Sequence, residues 1–341
     1  MRKLIVAKRY AIVVMMLLCV VCVALYSCDP AEEKGDNDIS TSVLDEGGQG
    51  DVADTSASVG GFDTNNASNA LFSVASAGSE LKKVRFAKGN LQYQASTSTW
   101  RFADNQYDVI GVDNQNISAE YYGWIDLFGW GTSGWNSGAE AYQPYDTTCS
   151  TTAYWPGGQA YYDITGDYAN ADWGVYNAIS NGGNQAGIWR TLTYDELNYI
   201  LFGRQSSTVN GCANAHFVIA RVDEHNGVIL FPDQYVHPKC VALPEEINNA
   251  NLAYSTNAYS ISDWELMEEA GCVFLPATGM RKGVSYTNSN MLYYWTSTRY
   301  CDNAAGVLMT SNGVLGAIYL HTGYLVGRSD GKAVRLVRDV E

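Results

Sequence analysis

Alternation of apolar and polar positions sets in near Glu80. Lys83-Val84-Arg85-Phe86-Ala87 has period two and predicts a strand. Gly89-Asn90 predicts a turn, and Leu91-Gln92-Tyr93-Gln94 the returning strand of a hairpin. Trp100-Arg101-Phe102 predicts another short strand. From Tyr107 to Trp189 most of the chain has no 3.6-residue period. Trp124, Trp130, Trp135, Trp155 and Trp173 are interspersed there with glycine, which predicts long aromatic-rich loops. Two helices are marked by capping boxes. One is Thr193-Tyr194-Asp195-Glu196, continued by Leu197 to Phe202 and ended at Gly203. The other is Ser262-Asp263-Trp264-Glu265, running to Ala270 and stopped by Gly271. Strands are expected over His216–Ala220, Gly227–Phe231, Val273–Leu275 and Ala333–Val337. Two helices among many short strands describe an α+β domain.

The chain before Glu80 reads differently. Met1-Arg2-Lys3 and Lys8-Arg9 precede an apolar run from Ala11 to Leu25. That run is shorter than the roughly 20 residues of a membrane-spanning helix, so residues 1–27 are expected to be a secretion signal. It ends Leu25-Tyr26-Ser27-Cys28, which resembles a bacterial lipobox. The resemblance implies cleavage before Cys28, diacylglycerol on its thiol and an acyl chain such as palmitate on the new amine. Several chains anchor stably where one is marginal. The acidic stretch Asp29 to Asp36 resembles a signal that sends lipoproteins to the exterior face of the outer membrane; an acidic linker has the same composition. Residues 28–79 are polar, with Phe62 and Phe72 as the aromatics, and are expected to form a flexible tether. The domain is expected over 80–341, with a ligand-facing segment over 293–331.

Composition narrows the partner. The formal net charge is −15 and the pI near 4.6, which argues against nucleic acid. The 24 Tyr and 33 Gly fit a domain with a filled aromatic core, and equally a recognition surface, because Tyr, Ser, Gly and Asn dominate binding loops.

The succession "GIWRTLTYDELNYILFGR", "GVILFPDQY", "WELMEEAGCVFLPATGMR", "YYWTST" and "AVRLVRD" resembles the C-type-lectin-like fold in its bacterial form. That form is shared by the formylglycine-generating (sulfatase-modifying factor) enzymes, the variable proteins of diversity-generating retroelements, and a paralogous group of surface lipoproteins. The resemblance covers roughly residues 80–341. It implies paired terminal strands, two helices flanking a sheet, and a ligand face of long loops.

The chemistry of the enzymes in that group is not repeated. They need a reactive cysteine pair in the C-terminal half. Beyond Cys28 the chain carries Cys149, Cys212, Cys240, Cys272 and Cys301, no two closely spaced. An odd number leaves one unpaired or paired between chains. Cys272 reads as core, Cys301 as exposed, and Cys212 with Cys240 as a disulfide candidate. His216, His225, His237 and His321 form no metal motif; His237 beside Cys240 offers two ligands only. Phe231-Pro232-Asp233 and Ser-Asp-Trp depart from the calcium-dependent sugar motifs of animal C-type lectins. No cofactor, metal or catalytic residue is expected.

In the retroelement variable proteins, diversified positions cluster near the C-terminus between spared frame residues. Tyr294-Trp295-Thr296-Ser297 and Ala333 to Val337 resemble the frame, with Trp295 in the core. Arg335 and Arg338 are expected to cover the sheet edge or pair with carboxylates. Between the frames, Val307, Met309 and Ser311 alternate inward, and Gly306, Leu308, Thr310 and Asn312 outward. Leu315, Ala317, Tyr319, His321, Tyr324 and Ser329 are expected to be exposed, and Arg299, Tyr300 and Asn303 complete the ligand set. The resulting expectation is a lipid-anchored, non-catalytic surface protein that binds a protein or glycan. A fimbria-like structural subunit and a formylglycine-generating-type enzyme are the alternatives.

Overall fold

The protein is described by a computed structural model over residues 60–340, apart from 77, 289, 303, 312–313 and 319–326; over 304–311 and 314–318 the description is of the backbone. Residues 1–59, Cys28 among them, lie outside it. In chain order the elements are β1 (Phe72–Val74), β2 (Lys82–Phe86), β3 (Leu91–Gln94), β4 (Thr99–Phe102), α1 (Trp173–Tyr176), β5 (Arg190–Thr191) and α2 (Tyr194–Phe202). There follow β6 (Phe217–Val222), β7 (His225–Leu230), β8 (Ala258–Tyr259), α3 (Ile261–Glu269), β9 (Val273–Pro276), β10 (Met280–Lys282) and β11 (Ser285–Thr287). The last are β12 (Tyr293–Cys301), β13 (Ala304–Ser311), β14 (Val314–Ile318), β15 (Asp330–Gly331) and β16 (Leu336–Asp339).

Among the described residues the strands form small sheets in the orders β1-β2-β16-β5, β8-β6-β7-β9, β12-β13-β14, β11-β10-β15 and β3-β4. With α2 and α3 this is an α+β arrangement. The last strand pairs antiparallel with β2, Val337 opposite Phe86. The expected β2–β3 hairpin does not form. Leu91 pairs instead with Phe102 of β4. The amides of Ala87 and Leu91 both bond the C-terminal segment, at the carbonyls of Leu336 (3.0 Å) and Val334 (2.9 Å). That segment occupies the place a returning strand would need. At Gly89 an added Cβ would stand 2.4 Å from the Ala103 carbonyl oxygen, so glycine there permits a close backbone approach rather than a hairpin turn.

Helix α2 carries the expected capping box, Thr193 with Glu196. The box of α3 is shifted two residues from its expected place: Ser260 caps, and Asp263 returns the bond. The shift has a local cause. The side chain of a capping residue reaches the amide three positions on, and Ser260 Oγ meets the Asp263 amide at 3.1 Å. Gly271, at φ 93, follows as the left-handed stop. Ser260→Ala is expected to cost about 1 kcal/mol in urea unfolding, and Ser262→Ala under about 0.5. Equal costs would place the cap at 262.

The strand sequences follow from burial on two faces. In β6, Phe217 and Ile219 join one core with Leu197, Ile200 and Tyr294, while Val218, Ala220 and Val222 join another with Trp264, Met267 and Phe274. A sheet covered on both sides reads as an unbroken apolar run. A third core holds Trp100, Phe128, Trp130, Trp173, Trp189 and Trp295, joining tryptophans of the long loop to those of β4 and β12. Trp130 and Trp295 lose no hydrogen bond on burial: their indole N–H groups reach the carbonyls of Thr296 (2.8 Å) and Phe128 (2.7 Å). Trp295 is core, as expected.

Arg335 is not at a sheet edge. It is buried, and its guanidinium donates to Asn90 Oδ1 (2.9 and 3.1 Å), the Phe274 carbonyl (3.0 Å) and Gln106 Oε1 (3.2 Å). The segment that carries it runs into an interior strand, between β2 and β5, so its side chain enters the protein. Arg338 keeps the expected carboxylate partner, Asp63 at 3.5 Å.

Candidate functional site

The face lies where β12 leaves the core. Tyr293, Tyr294 and Trp295 are buried on alternating sides, and Thr298 to Cys301 are half-buried. Register shifts fall between Trp295 and Arg299 and between Arg299 and Cys301. Such bulges bend a strand and re-aim its side chains. The bent strand is held from two directions. The Ser297 amide donates to the Leu192 carbonyl (2.9 Å), and Thr298 Oγ1 accepts the Tyr194 amide at the start of α2 (3.0 Å). On the other side, the Ile164 amide donates to the Ser297 carbonyl (3.1 Å), and the Arg299 amide to Asp163 Oδ1 (2.7 Å).

Arg328 joins this strand to the loop. It is buried, and its Nη2 donates to the carbonyls of Ala160 (2.6 Å) and Cys301 (3.0 Å) while the guanidinium lies 4.7 Å from the Trp130 ring centre. Burial, with Arg299 nearby, pushes its pKa down to about 10. Lys332 is treated alike: buried, 4.2 Å from the Tyr293 ring centre, 3.9 Å from Asp330, and pushed down by burial to about 8. These cations tie frame to face.

The loop presents aromatic rings. Tyr161 is 57% exposed, and its ring centre is 4.6 Å from that of Tyr162, which lies 4.4 Å from Tyr168. Trp135 continues the row at 6.3 Å. Tyr162 also hydrogen-bonds Tyr161, which raises the pKa of the Tyr161 phenol. Trp155 donates its indole N–H to the Asp302 carbonyl, placing that ring against the end of β12. A cavity of about 310 Å³ opens beside the loop, lined by Ile164, Thr165, Asp172, Arg190, Glu196 and Ser297 among others. Three of its charged groups are paired: Arg190 reaches Glu196 at 2.7 Å and Asp339 at 2.6 Å.

The expected ligand residues distribute as follows. Arg299 and Tyr300 are half-buried at the end of β12. Gly306, Leu308, Thr310, Leu315 and Ala317 lie on β13 and β14. Leu308 is opposite Ala317, and Thr310 opposite Leu315. Positions directly opposite in an antiparallel pair share a side of the sheet, and so do alternate positions along a strand. These five positions therefore share one side. On β12 that alternation separates two cores rather than core from solvent, since Tyr294, opposite Leu308, is buried as well. Asn303, Asn312, Tyr319, His321 and Tyr324 lie outside the described residues. Ser329 is not exposed: it is 2% accessible, and its Oγ donates to the Cys149 carbonyl at 3.2 Å. It sits between buried Arg328 and β15, which pairs with β10 in the interior.

The remaining chemistry is structural. Cys149, Cys212, Cys240, Cys272 and Cys301 are free thiols, so Cys212 and Cys240 are not bridged; Cys301 is half-buried and Cys272 is core. His237 hydrogen-bonds Tyr235 (3.0 Å) and the Val241 carbonyl (3.2 Å). Asp233, of the Phe-Pro-Asp run, pairs with buried Arg204 at 2.9 Å. No group of three metal-ligating side chains occurs among the described residues, and no described helix is long and apolar enough to cross a membrane.

Reading the sequence passed over Tyr161, Tyr162, Asp163, Tyr168 and Asp302. The Tyr-Tyr pair in a glycine-rich loop was the available signal; its adjacency to β12 was not. No family model, curated protein or solved structure matches the chain.

Proposed function

We propose that this is a lipid-anchored surface protein that binds a protein or glycan ligand without catalysis. The ligand face is the β12–β14 ribbon on a C-type-lectin-like scaffold. The observation that carries the reading is the register of β13 and β14, which sets Leu308, Thr310, Leu315 and Ala317 on one side of a ribbon. The ribbon is clamped at its base by Trp295 and Arg328. A fixed base lets such positions vary without loss of fold. The lipobox at Cys28 supports anchorage, and the acidic stretch behind it supports export to the surface. The mixed residues between the two frames suit diversification by a retroelement as well as drift at exposed positions.

Two measurements test it. Labelled palmitate should enter the wild-type chain in its host and not Cys28→Ser. On protein and glycan arrays, replacing Leu308, Thr310, Leu315 and Ala317 together by serine should weaken the captured signal roughly tenfold or more, the range of a small binding hot spot. The melting temperature should move by only a few degrees. Binding indifferent to that replacement removes the ribbon from the ligand face, and conversion of a sulfatase cysteine peptide to formylglycine removes the non-catalytic reading. A template repeat beside a reverse-transcriptase gene, with mismatches confined to adenines, is the test of diversification.

A further inference from the structure

We propose that the aromatic row beside β12 takes a cationic protein segment, its lysine or arginine side chains stacking on Tyr161, Tyr162 and Tyr168. The inference rests on the ribbon being a ligand face and names the partner of its flank. Three observations support it.

First, the row is built and open at its Tyr161 end, Tyr162 and Tyr168 being half-buried. Tyr161 stands 57% accessible at the end of a stack with steps of 4.6 and 4.4 Å, and the loop beneath is fixed by Arg328 and Asp163. Ring faces held in place attract cations through their quadrupole. Second, the surroundings are acidic. Asp167, next to Tyr168 in the chain, and Asp302, at the end of β12, are exposed, in a chain of net charge −15. Asp163 adds a third carboxylate. Arg299 at the β12 end, with buried Arg328, which bonds the Ala160 carbonyl next to Tyr161, offsets part of this. A field of that sign steers cationic partners and repels anionic ones. Third, the fold accommodates its own cations in the same way. Arg101 lies 3.9 Å from the Trp124 ring centre, Arg328 4.7 Å from that of Trp130, and Lys332 4.2 Å from that of Tyr293. A neutral glycan would also stack on tyrosines, but it would gain nothing from the charge.

The full chain is titrated with fluorescent octalysine, with octaglutamate and with a neutral cello-oligosaccharide, by anisotropy. Octalysine is expected to bind best and to weaken roughly tenfold between about 50 and 300 mM salt. The double variant Tyr161→Ser/Tyr162→Ser should weaken it roughly tenfold. The pair Asp167→Asn/Asp302→Asn should weaken it several-fold, while Asp223→Asn/Glu224→Gln, which removes the same charge at the remote β6–β7 turn, should change it less than about twofold. Equal losses from the near and remote pairs would reduce the effect to net charge and overturn the proposal. So would tighter binding of the oligosaccharide, or no octalysine binding at all. The serine replacement on β13 and β14 separates the two readings. Octalysine binding that survives it supports the aromatic row whatever becomes of the ribbon, and an array signal lost with the ribbon while octalysine fails to bind sinks only the row.

Discussion

Arg335→Ala is expected to lower stability by about 3–5 kcal/mol, a large part of the total for an average domain. The guanidinium is buried and meets only neutral oxygens: Asn90 Oδ1, Gln106 Oε1 and the carbonyls of Phe274, Ala87 and Lys88. Removing it takes a donor from several buried acceptors at once, although Asn90 Oδ1 keeps the Tyr294 hydroxyl (3.0 Å) and Gln106 Oε1 the Phe274 amide (2.8 Å). These acceptors belong to the β2–β3 junction, the long loop and β9, so the loss is spread over three parts of the domain. Arg335→Lys keeps the charge but not the planar fork, and should recover less than half. Urea unfolding reads this as a lower midpoint at constant slope. A loss below about 1 kcal/mol would mean that the oxygens find other partners.

The second large effect is on pH. Asp126 and Asp172 are buried carboxylates, each pushed up from 3.8 to about 6 by burial. Asp126 accepts only neutral donors, the Ile110 amide (2.9 Å) and Asn114 Nδ2 (2.8 Å). Asp172 accepts the Thr191 amide (2.7 Å) and hydroxyl (3.1 Å) and the Gly174 amide (3.1 Å), with Arg190 acting from farther off. Their folded pKa lies above the unfolded one, so the folded state holds these protons more tightly. The stabilisation is complete below about pH 4 and is lost as pH rises through about 6. The two-unit shift corresponds to at most about 3 kcal/mol per group. Asp339, held low by Arg190, acts oppositely but below this window. His216, whose pKa burial lowers, acts oppositely within it. The decisive quantity is therefore the difference between wild type and Asp126→Asn. The gain in stability from pH 8 to pH 5 should shrink by about 1.4 kcal/mol in the variant, the rest appearing only below pH 5. An unchanged gain would show that Asp126 titrates normally.

Elements whose signals are local were legible in the sequence. The Thr193 box, the Gly271 stop, the β6 and β7 runs and the core position of Trp295 each follow from a few neighbouring residues. What failed was pairing across distance. Leu91 looked like the partner of Phe86 because two residues of turn chemistry stood between them, whereas the true partner lay some 250 positions on, at Val337. The same cause hid the candidate site. The Tyr161 loop and the Arg299 strand meet because Arg328, Asp163 and the Ile164 amide bind across them. Arg335 was misplaced because its surroundings are carbonyls, which no side-chain pattern reports.

The position of β16 governs when the domain can form. This strand lies inside its sheet, between β2 and β5, yet it leaves the ribosome after every other strand. Until Leu336 to Asp339 have emerged, β2 has no inner neighbour and Ala87 and Leu91 no acceptors. Folding must then wait on contacts of very high sequence separation, which close slowly. A product truncated before Leu336 should be degraded rather than fold.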